Sequence, residues 1–256
     1  MRATAAPRPS LSRRDGELRE LMDDPECDPE RLRRTLERFA IVNRLVSGWG
    51  AVYRQHIRPL ARARGGRIAL LDIGCGGGDV LVRLQTLAHA DGVTLDAVGI
   101  DPDERSLAVA QARARERAAA GAQEPAQART EASGGLTLRQ AYSADLVAEG
   151  LSFDVVVSNH VLHHLDEAQL TALLADSQAL SRGLVLHSDI ARSRTAYAAY
   201  AAGITPLAPG SFLRTDGLRS VRRSFTPAEL AARVPAGWRV ERPAPFRLLA
   251  TWRASS

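Results

Sequence analysis

The chain has 256 residues, which fits one large α/β domain with extensions or two small domains, and its 45% hydrophobic fraction is sufficient for a core. All 34 basic residues are arginine, which excludes mechanisms that need a lysine as Schiff base, general base or phosphate clamp. The net charge is +5, but the 29 acidic residues are interleaved with the arginines, so nucleic acid is disfavoured as the main partner.

The N-terminal part of the chain precedes any strand pattern. Met1–Gly16 contains arginines and prolines but lacks the apolar run of a secretion signal, and we predict that residues 1–27 form a flexible arm. Residues 28–66 are predicted to form a helical extension over the pocket, with one helix ending near Gly48 and a second from Trp49 to Arg64. Packing of these helices on a sheet edge is the alternative.

From Ile68 onward, short apolar runs alternate with longer helical patterns, which is typical of βαβ units and a parallel sheet. The predicted strands are Ile68–Ile73, Leu95–Asp101, Leu136–Ala141, Phe153–Ser158 and Gly183–Ser188. The predicted helices between them are Asp79–His89, Asp103–Ala119 and Asp166–Ser181. Residues 120–135 have almost no large apolar side chain and are predicted to form a solvated loop.

The C-terminal part predicts the closing elements of one domain that spans residues 67–256. An insertion at about 190–225 is indicated by small residues, prolines and glycines. Thr226–Glu229 has the pattern of a capping box and starts a helix. Trp238–Glu241 and Phe246–Trp252 predict a closing hairpin. The expected fold is a Rossmann-like three-layer α/β/α sandwich, whose mostly parallel seven-stranded sheet ends in a C-terminal antiparallel hairpin.

The most informative stretch is Leu70–Asp79, in which a strand of buried type runs into glycines and then a helix. Gly74 and Gly76 permit positive φ angles and close approach of a ligand, and the amides of the following helix favour a negatively charged group. The dinucleotide fingerprint requires a third glycine where Asp79 stands, and a carboxylate there repels a pyrophosphate. The loop therefore suits a nucleotide-type ligand without phosphate at that point.

These residues resemble class I S-adenosylmethionine-dependent methyltransferases, whose first motif is an acidic residue, an apolar residue and Gly-x-Gly-x-Gly, here Asp72–Gly78. The resemblance continues in chain order through Val98–Asp103, Ala144–Leu146 and Phe153–Asn159, and it covers about residues 68–188. It implies a methyltransferase with S-adenosyl-L-methionine as its cofactor.

The resemblance assigns cofactor binding to Asp72, Gly74, Cys75, Gly76, Asp101, Pro102, Asp145, Leu146 and Asn159. It implies that Asp101 accepts hydrogen bonds from the ribose hydroxyls, that Asp145 accepts from the adenine amino group and that the Leu146 amide faces the ring. Asp72 is expected near the methionyl ammonium, and Asn159 in the methionyl pocket. Helix capping by Asp101 and turn formation by Asp145 are the structural alternatives.

Three histidines, His160, His163 and His164, share one face just beyond the fourth strand, and His187 ends the fifth. The candidate catalytic residues are His163, His164 and His187, because an imidazole is the natural base near neutral pH, although a structural role stays open for each. No metal site is predicted, since the acids and fourth ligand that zinc needs are not evident nearby. Methyl transfer is an in-line displacement, so positioning alone supplies much of the catalysis.

The acceptor is expected to be a small molecule. The exit of the fourth strand, Ser158–Val161, lacks the Asn-Pro-Pro-aromatic pattern of amino-group methylators, and a lysine-based tetrad is impossible. His187–Tyr197 and Asp216–Phe225 resemble bacterial methyltransferases of polyketide or quinone-like secondary metabolism. We expect methyl transfer to an oxygen, or secondarily a carbon, of a small aromatic, polyketide- or quinone-type molecule. An RNA or DNA methyltransferase and a non-catalytic cofactor-binding protein are the alternatives.

Five arginines of the late segment either orient an acidic acceptor or form a solvated basic face: Arg192, Arg194, Arg219, Arg222 and Arg223. The two cysteines, Cys27 and Cys75, lie far apart without metal-binding spacing, which fits a reducing cytoplasm. No apolar run approaches the length of a membrane span. The oligomeric state stays open.

Overall fold

A seven-stranded sheet organises the chain in the computed structural model, which describes residues 10–122 and 134–254. Its strands are β1 (Arg67–Ile73), β2 (Thr94–Asp101), β3 (Leu136–Gln140), β4 (Phe153–Asn159), β5 (Ser181–Ile190), β6 (Arg239–Glu241) and β7 (Arg247–Arg253). The strand order is β3-β2-β1-β4-β5-β7-β6. The first five strands pair in parallel, while β7 runs antiparallel to both β5 and β6. The predicted fold class is confirmed.

Helices cover both faces of this sheet. They are α1 (Pro29–Val46), α2 (Trp49–Val52), α3 (Arg58–Ala63), α4 (Asp79–Ala90), α5 (Glu104–Ala122), α6 (Ser143–Ala148), α7 (Glu167–Leu180), α8 (Arg194–Gly203), α9 (Leu213–Arg223) and α10 (Pro227–Ala231). A π-helical turn, Tyr53–Ile57, joins α2 to α3. None of the helices in the described ranges is long and apolar enough to span a bilayer.

The central strands are apolar throughout because both of their faces are buried. Along β1, Leu70 points into one hydrophobic core and Leu71 into the other, and Val155 and Val156 alternate in the same way along β4. All four side chains are completely buried. The period of two along each strand therefore divides the interior into two cores, one under each helical layer.

The predicted strands and their three connecting helices are present with boundaries shifted by a few residues. The sequence did not predict α6, α8 or α9. In α8, alanines and tyrosines conceal the apolar periodicity, although Ser193 caps its first turn by accepting from the Ala196 amide at 3.0 Å. The segment predicted as an insertion contains α8 and α9, whereas the predicted loop over residues 120–135 lies largely outside the described residues.

The N-terminal strap, which we define as residues 10–28, packs across the carboxyl-terminal edge of the sheet where a flexible arm was expected. The Arg14 guanidinium donates hydrogen bonds to the carbonyls of His163 at 2.9 Å and Leu165 at 2.6 Å. Its Nε donates to the carbonyl of Arg223 at 2.6 Å. These bonds are made over long sequence separations, so no local pattern in the strap reveals them. Residues 1–9 of the predicted arm lie outside the described residues.

Two further groups hold the strap. The carboxylate of Asp216, in α9, accepts from the amides of Leu21 at 2.8 Å and Met22 at 3.0 Å. The guanidinium of Arg105, in α5, donates to the carbonyls of Met22 and Asp24. The strap is therefore attached to both α9 and α5.

Candidate functional site

A cavity of about 700 Å³ lies at the carboxyl ends of β1, β2 and β4. This is the edge at which open α/β sheets bind ligands. Seven of the predicted cofactor-binding residues line it: Asp72, Gly74, Cys75, Gly76, Asp101, Pro102 and Asn159. The opposite wall is formed by Leu36, Phe39 and Asn43 of α1 and by Glu20 and Met22 of the strap.

The loop after β1 is held by the neighbouring strand. The amides of Gly74 and Cys75 donate to the carbonyl of Ile100 at 2.8 and 3.0 Å. Gly74 has a φ of 69°, and a Cβ there would lie 2.6 Å from Cγ2 of Val161, so only glycine fits. Gly76 has a φ of 51°, but a Cβ there would have no described atom within 4 Å. Gly76 therefore leaves open space at the cavity wall.

Three carboxyl groups surround this loop. Asp72 is completely buried, and its Oδ1 has no hydrogen-bond partner among the described residues. Burial, together with the nearby charges of Asp79 and Asp101, raises the pKa of Asp72 well above its usual value. Asp79 accepts from Nδ2 of Asn43 at 3.0 Å, and burial raises the pKa of this carboxyl too. A cationic ligand group would stabilise the ionised form of these carboxyls, and contact of Asp72 with the methionyl ammonium stays a prediction.

Asp101 connects the loop to the next helix. Its Oδ2 accepts from the amide of Gly76 at 2.8 Å, and its Oδ1 accepts from the amide of Asp103 at 2.9 Å. Burial raises the pKa of the Asp101 carboxyl. The carboxylate thus orders the backbone before α5, as the structural alternative expects, and it also faces the cavity. Contact with the ribose hydroxyls stays a prediction.

Asp145 and Leu146 lie apart from the cavity lining. Asp145 is exposed, and its carboxylate accepts from the amide of Tyr142 at 2.8 Å in the capping box of α6. Leu146 is completely buried in a hydrophobic core. Contacts of these two residues with adenine stay predictions.

The turn after β4 brings two of the three predicted catalytic histidines to the cavity. His163 is completely buried, and its Nδ1 lies 2.7 Å from Oδ1 of Asp189 in β5. The Asp189 Oδ2 accepts from the His163 amide at 2.9 Å, and the His163 Nε2 lies 3.3 Å from Oε1 of Glu20. Burial by itself lowers the pKa of His163, but the Asp189 and Glu20 carboxylates outweigh it and raise the pKa to about 9.

His164 lies beside His163, with ring centroids 4.3 Å apart. Its side chain is partly exposed; Nδ1 lies 3.3 Å from Oδ2 of Asp23, and Nε2 lies 3.8 Å from Oε1 of Glu20. Glu20 and Asp23 were not predicted from the sequence because both belong to the strap. Their acidic side chains were the only available signal, and acids are common in solvated arms.

His187 occupies a different place. It is completely buried and stacks on Trp238, with ring centroids 5.6 Å apart. Its Nδ1 pairs with the Ser158 hydroxyl at 2.7 Å and its Nε2 with the Ser177 hydroxyl at 3.1 Å. Burial lowers the pKa of His187 to about 3. The structure does not bring His187 to the cavity lining.

The turn itself is anchored from β7. The buried Arg247 guanidinium donates to Oδ1 of Asn159 and to Oγ of Ser188, both at 2.7 Å, and lies 3.0 Å from Nε2 of His160. His160 adopts a φ of 62°, which is unusual for a residue with a side chain. Burial, followed by the Arg247 charge, lowers the pKa of His160 well below its usual value.

The late arginines mainly hold protein groups. Arg223 lies 3.3 Å from the Asp23 carboxylate and donates to the carbonyls of His163 at 3.2 Å and His164 at 3.1 Å. Arg222 pairs with the Asp15 carboxylate at 2.6 Å. Three further arginines lie elsewhere: Arg192 pairs with Glu229, Arg219 donates to the Arg19 carbonyl, and Arg194 is exposed.

The chain is similar in sequence to known methyltransferases. The model of the family described as "Methyltransferase domain" matches residues 71–183. The Ubiquinone biosynthesis O-methyltransferase of Azorhizobium caulinodans is 28% identical over 183 residues, which are 70% of this chain and 60% of the relative. The protein of the same name from Agrobacterium fabrum is 30% identical over 159 residues, which are 62% of this chain and 52% of the relative.

The chain therefore spans about half to three fifths of the length of these curated relatives. Among solved structures, the plantazolicin methyltransferase BpumL in complex with SAH superposes with a TM-score of 0.59. The superposition covers 92% of this chain and 93% of that one at 12% sequence identity, which shows a shared fold.

Proposed function

We propose that this chain is a class I S-adenosylmethionine-dependent methyltransferase that transfers a methyl group to an oxygen of a small aromatic, polyketide- or quinone-type molecule. The family match and the shared fold support the predicted enzyme class and its cofactor. One observation carries the proposal: His163 and His164 line the same cavity as the glycine loop. The names of the two curated relatives support an oxygen acceptor.

Each residue that faces the cofactor binds a different part of it. When bound, S-adenosylmethionine supplies a methyl group on a positively charged sulfur. Asp72 binds the methionyl ammonium with its unpaired Oδ1, and Asp101 accepts from the ribose hydroxyls with its remaining lone pairs. Gly76 leaves room for the ligand against the backbone. These contacts fix the position of the methyl group, which supplies much of the rate.

The acceptor side of the cavity is partly apolar. Leu36 and Phe39 of α1 and Met22 of the strap line it, so an aromatic ring packs there. We place the acceptor oxygen against the rings of His163 and His164. Both imidazoles are backed by carboxylates, which suits contact with a hydroxyl group as it loses its proton.

Paired arginines favour a small acceptor over nucleic acid. Arg222 and Arg223 are paired with the Asp15 and Asp23 carboxylates of the strap, so neither offers a free guanidinium to a phosphate backbone. The free thiols of Cys27 and Cys75 fit the proposed cytoplasmic location.

The test combines binding and turnover. Isothermal titration with S-adenosylhomocysteine, with NAD as control, is expected to give a dissociation constant in the micromolar range, about 8 kcal/mol, for the former alone. Methyl transfer from labelled S-adenosylmethionine to a panel of phenols, catechols and enols is then compared with transfer to RNA and DNA. Labelling of nucleic acid alone, or NAD binding, contradicts the proposal. Cofactor binding without turnover on the panel favours a non-catalytic cofactor-binding protein.

A further inference from the structure

Three potential metal-ligating atoms converge where the strap meets the histidine turn. The Glu20 Oε1 lies 3.3 Å from Nε2 of His163 and 3.8 Å from Nε2 of His164, and all three atoms lie within 4.8 Å of one another. A tetrahedral ion with bonds of about 2.0–2.1 Å holds its ligand atoms about 3.3 Å apart. The three atoms thus already approach the spacing of a bound ion.

Both imidazoles are oriented by carboxylates on their other nitrogen. The Nδ1 of His163 lies 2.7 Å from Oδ1 of Asp189, and the Nδ1 of His164 lies 3.3 Å from Oδ2 of Asp23. Metal-bound histidines in proteins characteristically pair their second nitrogen with a carboxylate, which fixes the tautomer and the ring orientation. Here that pairing occurs twice, and it leaves both Nε2 atoms facing Glu20.

A separate observation points to a ligand at this place. The His163 side chain is completely buried, and its Nε2 faces the Glu20 carboxylate at 3.3 Å in a contact that does not have hydrogen-bond geometry. An ion between these two atoms would satisfy both of them. His163 also belongs to a second group with His160 and Asp189. That group is disfavoured because the His163 Nδ1 is already engaged by Asp189.

We propose that Glu20, His163 and His164 bind one divalent ion of the zinc, cobalt or iron(II) class. Two imidazoles and one carboxylate suit these ions better than magnesium or calcium, which prefer oxygen ligands. Three protein ligands leave a fourth position open towards the cavity, as in catalytic zinc sites. The sequence did not predict this site because its carboxylate comes from the strap.

The surroundings favour a cation. The carboxylates of Asp23 and Asp189 lie behind the two rings; Arg223 lies 3.3 Å from the first, and the charge of Arg247 acts on the second. The Ser220 hydroxyl donates to Oε1 of Glu20 at 2.7 Å, which orients the carboxylate and leaves a lone pair for the ion.

The metal site adds a role to the proposed function. The role given to its open fourth position rests on that proposed function. An ion held by His163 and His164 binds an oxygen of the acceptor and lowers the pKa of its hydroxyl group. The acceptor class is then a phenol, catechol or enol whose oxygen is able to ligate a metal.

The experiment measures metal binding by the full chain after chelator treatment. Cobalt(II) is titrated by its visible absorption, and zinc is measured by competition with the bound cobalt. We expect one ion per chain with a dissociation constant below about 10 μM, about 7 kcal/mol. His164→Ala and Glu20→Gln are expected to weaken binding at least about 100-fold, and Asp23→Asn about 10- to 100-fold. The matched control is His89→Gln, which alters an exposed histidine of α4 and leaves binding unchanged.

Circular dichroism melting establishes that each variant is folded, and Asp23→Asn alters a partly exposed side chain that is expected to tolerate the change. Absence of stoichiometric cobalt binding by folded wild-type protein at 100-μM-scale concentrations, about ten times the expected constant, overturns the proposal. So does unchanged binding in both His164→Ala and Glu20→Gln, or loss of binding in His89→Gln. Titration with S-adenosylhomocysteine on the same samples separates the two proposals, because failure of cofactor binding counts against the proposed function alone.

Discussion

Replacement of single glycines distinguishes a ligand-binding loop from an ordinary turn. Gly76→Ala places a methyl group at a φ of 51° and into space with no described atom within 4 Å. A side chain in this left-handed region costs about 1–2 kcal/mol, so we expect that loss of stability. Because the methyl group enters the cavity, we also expect the affinity for S-adenosylhomocysteine to fall at least about tenfold, or 1.4 kcal/mol.

Two other glycines serve as matched comparisons. Gly150 has a φ of 70° with no described atom within 4 Å of a Cβ, and it lies outside the cavity lining. Gly150→Ala should therefore lose similar stability and keep full affinity. At Gly74 the same strain is joined by a Cβ contact of 2.6 Å with Val161. Overpacking adds about 1–3 kcal/mol, so Gly74→Ala should lose about 2–5 kcal/mol in all.

Urea unfolding measures the stability of the three variants, and isothermal titration with S-adenosylhomocysteine measures their affinity. The reasoning is refuted if Gly76→Ala binds this ligand as tightly as the wild type. It is also refuted if Gly150→Ala loses as much affinity as Gly76→Ala, since the effect would then belong to the whole fold.

Three more changes test the site and its supports. Asp101→Ala should weaken S-adenosylhomocysteine binding by about 1.5–3 kcal/mol in titration calorimetry, and unchanged affinity would place the cofactor elsewhere. Burial lowers the pKa of His187 from 6.5 to about 3, so the unfolded chain takes up a proton first as the pH falls. This group should then contribute a loss of about 1.6 kcal/mol of unfolding free energy between pH 6.5 and 5. His187→Gln should lack that component of the slope in urea titrations, and an identical slope would contradict the assignment. Arg14→Ala removes three hydrogen bonds from the strap and should speed proteolytic cleavage within residues 10–28, whereas an unchanged cleavage rate would contradict the role of Arg14.

The glycine loop was predictable because its signal is local. A buried strand, glycines at fixed positions and a helix follow one another within Leu70–Asp79, and the parallel sheet brings Asp101 and Asn159 to the same edge. The apolar runs of β1 and β4 were likewise predictable, because a strand buried on both faces is identified by its own sequence.

The packing of the strap, and the contacts of Glu20 and Asp23 with the histidines, were not predictable in this way. Glu20 gains its role from contacts with His163 and Ser220, which are remote in sequence. His187 shows the opposite problem. Its place at the end of a predicted strand suggested a catalytic role, but the alternation of side chains along β5 turns it towards Trp238 and the core.

The way in which the strap is attached has an evolutionary consequence. Among the described residues, the hydrogen bonds of Arg14 go to main-chain carbonyls, those of His163, Leu165 and Arg223. Arg223 also donates to the carbonyls of His163 and His164. Main-chain oxygens are present whatever the side chain is. Substitutions at Leu165, whose carbonyl alone holds the strap, can therefore change the crevice wall while the hydrogen bonds of Arg14 are kept. Substrate preference can drift at such a position without a matching loss of the main-chain anchorage.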